Sequence, residues 1–108
     1  MAAAIIEPQT EVPKRIYAGL RSAFPDLDEA MERVVYRYNR VSIRVRVVSE
    51  RFHEKSETER ERMVMDALKV LSSEEIEDVT MLLMMTPEEA RKPSLVDLEF
   101  LDPSRPGL

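Results

Sequence analysis

Between Arg33 and Val48 the sequence places five arginines, Arg33, Arg37, Arg40, Arg44 and Arg46, and no acid, in a chain whose net charge is −5. A guanidinium presents paired N–H donors that match phosphate and carboxylate oxygens two at a time, so such a run suits an anionic partner. The other reactive side chains form no comparable set. His53 is the single histidine, with neither a cysteine nor a second histidine to join it, and it reads as a loop residue without a metal or general-base role. The chain has no cysteine, which removes thiolate nucleophiles, disulfides and thiolate metal sites together. Glu57, Glu59 and Glu61 stand among Arg60 and Arg62 at a helix start, where acids suit the positive end of the helix dipole. Ser49, Ser56, Ser72 and Ser73 occupy turn and cap positions, and none lies in a G-x-S-x-G context. Two glycines, Gly19 and Gly107, cannot build a phosphate-cradling loop. Met81, Met84 and Met85 read as gap fillers of a buried strand. No catalytic residue, metal ligand or cofactor site is assigned.

Which way the arginines point depends on the elements that carry them. In Val34-Val-Tyr-Arg-Tyr38, alternation sets Val34, Tyr36 and Tyr38 on one side and Arg33, Val35 and Arg37 on the other. In Val41–Val48, Val41, Ile43, Val45 and Val47 alternate against Ser42, Arg44 and Arg46. An antiparallel hairpin turning at Asn39-Arg40 would then gather Arg33, Arg37, Arg44 and Arg46 on one polar face, with the Val/Ile/Tyr face against the core. Ahead of the hairpin, Pro13 suits a first helical turn, and Ile16, Leu20 and Phe24 form a stripe, which predicts a helix over 13–24. Asp26–Met31 connects. After the hairpin, Ser56-Glu-Thr-Glu59 and Ser72-Ser-Glu-Glu75 are capping boxes that start two helices, the first burying Val64, Ala67, Leu68 and Leu71. Val79–Met85 is apolar on both faces and reads as a central buried strand. Thr86-Pro-Glu-Glu89 begins a brief last helix. Val96, Leu98 and Phe100 alternate with Asp97 and Glu99, a candidate extra strand at 95–101.

Those elements give an α+β fold of order αββααβ, a two-layer sandwich with helices on one face of a three-stranded mixed sheet. At 108 residues, 44% apolar and 34% charged, the chain fits one domain. We expect a flexible lead-in at 1–12, the domain at 13–101 and a disordered tail at 102–108. No stretch approaches a membrane span and the start lacks the features of a signal peptide, so a cytoplasmic location is expected.

Three stretches carry a resemblance: Val47-Val-Ser-Glu-Arg-Phe52; Arg60-Glu-Arg62 followed by Val64 and Ala67-Leu68; and Leu82-Leu-Met-Met-Thr-Pro-Glu-Glu89. With them the chain resembles the BolA-like family over roughly residues 13 to 90. The resemblance implies a fold related to the class II KH arrangement and a small non-enzymatic protein. It also implies links to monothiol glutaredoxins, to iron–sulfur cluster handling and, in bacteria, to transcriptional control. The chain departs from the family at four places. The cluster-ligand histidine before the last strand falls on Asp78, and the ligand-bearing loop between the first strands is reduced to Asn39-Arg40. The glycine two places after the phenylalanine is Glu54, and the histidine between the two arginines is Glu61. Carboxylate is a poor substitute for imidazole on iron–sulfur iron, so cluster binding is not expected. The expectation is a regulatory or protein-interaction module without a cofactor, a glutaredoxin-like protein being one partner suggested by the resemblance. The alternative is a KH-like nucleic-acid binder. In either case the surface is sought at Arg33, Arg37, Arg44, Arg46, Arg60 and Arg62, and dimerisation by sheet extension is left open.

Overall fold

Ile16, Leu20 and Phe24 recur every fourth residue, and in a computed structural model, which describes residues 8–92, all three are fully buried. They belong to or directly follow helix α1, Pro8–Ala23. The helix begins earlier than Pro13 because Val12 continues the same stripe one step back and is itself buried. Pro13 therefore lies inside the helix, where it forgoes one backbone hydrogen bond. Pro25 follows the end, after Phe24 N–H has closed on the Leu20 carbonyl at 2.7 Å.

A connection with Leu27 buried leads through a 3-10 turn at Met31–Arg33 into strand β1, Val35–Asn39. Strand β2, Ser42–Val48, pairs with it antiparallel, with Val35 opposite Val45, Tyr36 opposite Arg44 and Arg37 opposite Ile43. The phase of β1 is therefore the reverse of the sequence reading. Val34 closes the 3-10 turn in the right-handed helical region, which breaks the two-residue period just before the strand starts. Val34 and Val35 consequently both reach the core, Arg37 shares the side of Ile43, and Tyr36 and Tyr38 go to the other side. The hairpin turn is Arg40–Val41 rather than Asn39-Arg40. Asn39 pairs with Ser42, its side-chain Oδ1 accepts from Val41 N–H at 2.9 Å, and Val41 is exposed instead of joining the apolar face.

Beyond a second 3-10 turn, Glu50–Phe52, come α2 (Glu57–Ala67), α3 (Ser73–Glu77), β3 (Val79–Met85) and α4 (Pro87–Ala90). Ser56, Ser72 and Thr86 each form the complete capping box that the sequence advertises. Strand β3 pairs parallel with β2, so among the described residues the order is β1-β2-β3, with β2 at the centre rather than β3. A parallel neighbour needs a crossover, and α2 and α3 supply it. The result is the αββααβ α+β fold with a mixed three-stranded sheet.

Ile43, Val45 and Val47 are wholly buried beneath α1 and α2, together with Val64, Leu68, Phe24 and Phe52. Removing each such side chain from water stabilises the fold by about 1.5–3 kcal/mol. Of the three methionines assigned to the core only Met84 belongs to it. Gly19 allows the two helices to approach: a Cβ there would stand 2.6 Å from the Ala67 carbonyl oxygen. Residues 8–12 of the lead-in expected at 1–12 belong to α1, while its residues 1–7, the candidate strand at 95–101 and the tail at 102–108 lie outside the described residues.

Candidate functional site

The six arginines proposed as one surface are distributed over three settings. Arg33, in the 3-10 turn, is exposed, 3.9 Å from Asp28. Arg37 is a clamp for the hairpin. Its side chain is only 9% exposed, and its Nη1 donates to the Arg40 carbonyl at 2.9 Å and lies 3.4 Å from Asp78 Oδ2. Arg44 and Arg46 do project from the side of the sheet away from the helices. Arg44 stacks over the Tyr38 ring, 3.8 Å from its centroid, and Arg46 is nevertheless buried. The arginine face expected to be wet is thus two arginines on a mixed surface.

The rest of that surface follows from register. Met81 lies beside Arg44, Leu83 beside Arg46 and Met85 beside Val48, and parallel neighbours share a side. Tyr36, Tyr38, Arg44, Arg46, Val48, Met81, Leu83 and Met85 therefore share the side of the sheet away from the helices. None of its apolar members takes part in the core beneath the helices. At the carboxyl ends of β2 and β3 the face runs into a cleft of about 360 Å³, lined by Asp26, Asp28, Arg33, Arg46, Val48 and Arg91 among others. Two of the expected arginines meet here with a third, Arg91, that no motif flagged. Asp26 and Asp28 oppose them.

The join between β2 and α2 is built for position rather than reaction. Ser49 is fully buried and donates to Asp26 Oδ1 at 2.8 Å, while Asp26 Oδ2 accepts from Glu50 N–H at 2.9 Å. Burial pushes the Asp26 carboxyl up, but these bonds and the nearby Arg51 outweigh it and hold the group below its ordinary value. The turn sets Phe52 against Phe24, ring centroids 5.2 Å apart, and Arg51 donates to the Ala23 carbonyl. Glu54 then takes φ +61°, the left-handed region, at the place where the resemblance expects glycine.

Arg60 does not belong to a surface. It is 9% exposed, donates through Nε to the Lys55 carbonyl and through Nη1 to the Met84 carbonyl, and grips Glu89 with both terminal nitrogens at 2.7 and 3.2 Å. The paired guanidinium, followed by the Thr86 cap, holds the Glu89 carboxyl down to about 2. Two motifs quoted separately from the sequence, the Arg60 helix and the closing Thr-Pro-Glu-Glu, are thereby one tie that locks α2 to β3 and α4. No local pattern announces a bond across 29 positions. Arg62 is exposed on α2, beside Lys55, Glu59 and Asp66.

His53 is exposed near Glu54, 3.9 Å away. Among the described residues no three of histidine, cysteine, aspartate and glutamate come together in a set that could hold a metal ion, and no helix is long and apolar enough to cross a membrane. A family model described as BolA-like protein matches residues 28–89, from the connection before β1 through Glu89. No curated protein and no solved structure matches the chain.

Proposed function

The chain belongs to the BolA-like family, a generally non-enzymatic group whose members interact with proteins, and on that footing we propose a regulatory protein-interaction module that holds no iron–sulfur cluster. The observation that carries the reading is the pairing of Asp78 with Arg37. Asp78 stands where the resemblance puts the ligand histidine, and its carboxylate is turned to a guanidinium 3.4 Å away that also fastens the hairpin turn. The two-residue turn at Arg40–Val41 offers no ligand-bearing loop in its place. The partner surface we assign is the cleft at the carboxyl ends of β2 and β3, with Arg33 and Arg91 on its lining, together with the adjoining tyrosine, methionine and leucine side of the sheet. Such a mixture suits a protein better than a phosphate backbone, since aromatic, Met and Arg side chains are those enriched where proteins meet. A glutaredoxin-like protein is the partner class to try first.

The KH-like reading needs a contiguous cationic strip, and the inward turn of Arg37 and Arg60 argues against one. Single-stranded RNA and duplex DNA titrated over a salt series separate the two readings. The module reading expects feeble retention that is unchanged in an Arg33→Glu/Arg62→Glu variant, both positions being exposed. Tight retention that falls steeply with salt and disappears in that variant would establish the nucleic-acid reading instead.

A further inference from the structure

The cleft of about 360 Å³ at the carboxyl ends of β2 and β3 has fixed walls and two exposed cations. Asp26 is held by Ser49 and by Glu50 N–H, Leu27 N–H donates to the Phe24 carbonyl at 3.0 Å, and Arg46 N–H donates to the Val34 carbonyl at 2.6 Å. On the other side Pro87 and Ala90 belong to α4, whose Thr86 capping box is complete. Arg33, by contrast, keeps 58% of its side chain in water and lies 3.9 Å from Asp28. Arg91 is exposed, and among the described residues it makes no hydrogen bond or ion pair. We propose that this cleft takes an acidic side chain of a partner protein, a glutamate or aspartate flanked by an apolar residue, its carboxylate held by Arg33 and Arg91 and its apolar neighbour resting on Val48, Pro87 and Ala90. The inference deepens the proposed function and rests on it for one point only, that the occupant belongs to a protein.

Charge selects the class of occupant. Both carboxylate oxygens of Asp26 accept from the β2–α2 join, and Asp28 Oδ1 accepts from Ala30 N–H at 2.8 Å, so the aspartates are committed within the walls. The guanidinium groups of Arg33 and Arg91 are left to face an incoming anion, and each offers paired donors that match a carboxylate. The aspartates meanwhile oppose a second negative charge, which disfavours a phosphate-rich strand. Val48, Pro87 and Ala90 are only partly buried on the same lining, and they give the residue beside the carboxylate an apolar seat. Size limits what enters: the volume is at the small end of the range of about 300–1,000 Å³ that takes a small ligand, so a side chain and its neighbour fit and a whole secondary-structure element does not. Fixed walls keep the ordering cost of docking low. Asp78 precedes the amino end of β3, and the cleft lies at the carboxyl end, seven residues or about 23 Å further on. The site is thus separate from the position where the resemblance sets a cluster ligand, and docking here needs no metal.

Methyl NMR of the full chain, titrated at low ionic strength with the acetylated and amidated tetrapeptide Ser-Glu-Leu-Ser, reads the site through Val48 and Ala90, while the core residues Val45 and Val47 report the fold. The expected result is a saturable shift of Val48 and Ala90 with Val45 and Val47 unmoved. The peptide Ser-Gln-Leu-Ser, which keeps the shape and loses the charge, should bind about tenfold more weakly or worse, the difference a charge-assisted hydrogen bond makes. An Arg33→Gln/Arg91→Gln variant should lose the response with its fold reporters in place, and Arg62→Gln, exposed elsewhere on α2, should keep it. Val48 and Ala90 methyls that ignore the first peptide would overturn the proposal, as would equal affinity for the two peptides or a full response in the double variant. Inorganic phosphate that gives the same response at the same concentration would overturn it too, by reducing the cleft to a general anion site. A monothiol glutaredoxin that leaves Val48 and Ala90 unmoved, with the peptide response intact, would count against the proposed function and not against the site.

Discussion

Glu54 carries its side chain at φ +61°, a backbone conformation that costs a residue with a Cβ about 1–2 kcal/mol and glycine little. Its exposure leaves no packing to offset that cost. Glu54→Gly should therefore raise stability in chemical denaturation by about 1 kcal/mol, the strain relief being partly offset by the freer unfolded chain. A decrease would show that the glutamate contributes a contact that outweighs the strain. The Arg60–Glu89 tie predicts a pH dependence. The folded value of Glu89 lies near 2, below its ordinary 4.5, so its contribution is complete above about pH 4.5 and fades as the pH falls toward 2. Glu89→Gln keeps an acceptor for the cap but loses the charge. The variant should be less stable than the parent at neutral pH, and the gap should close as acid protonates the parent. A gap that persists at pH 2 would show that shape rather than charge holds Arg60. Residues with local roles were legible: Ser56, Ser72 and Thr86 each cap as their motifs state. Arg37 and Arg60 were not, because a buried arginine and an exposed one look alike until their distant partners, Asp78 and Glu89, are in place.

At the scale of elements, the close contact of α1 with the end of α2 turns on Gly19. A Cβ there would meet the Ala67 carbonyl at 2.6 Å, and that oxygen is backbone and cannot swing aside. Gly19→Ala should lower stability by about 1–2 kcal/mol in chemical denaturation, since the overpacking cost of about 1–3 kcal/mol exceeds the gain of about 1 kcal/mol from better helix propensity. An increase would mean that the helices separate without loss. Helix α2, β2 and the span of β3 were legible because each carries its own period or its own cap. The phase of β1 was not, since one residue in helical conformation, Val34, slips the alternation and sends Tyr36 and Tyr38 outward. The place of β3 was hidden as well: its apolar character on both sides reads as central, whereas β2 is central among the described strands and Met81, Leu83 and Met85 lie on the side away from the helices.

For the whole molecule, one layer of helices closes one side of the sheet and the arginine-rich stretch is divided between fastening the fold and dressing the other side. Unbroken alternation in both strands of the hairpin suggests a cationic surface, while the slipped phase of β1 pairs Arg37 with Asp78 and the cleft opposes Arg33 and Arg46 with Asp26 and Asp28. Asp78, which the resemblance sets where the family has its ligand histidine, is paired with Arg37, and on this the proposed function depends. The direct test is to mix the full chain with a monothiol glutaredoxin carrying its iron–sulfur cluster, separate the two proteins, and measure iron content and visible absorbance of each. The account predicts that the chain emerges colourless and free of iron, with the cluster spectrum of the glutaredoxin unaltered; a chain that leaves the mixture with stoichiometric iron and its own visible bands would contradict it.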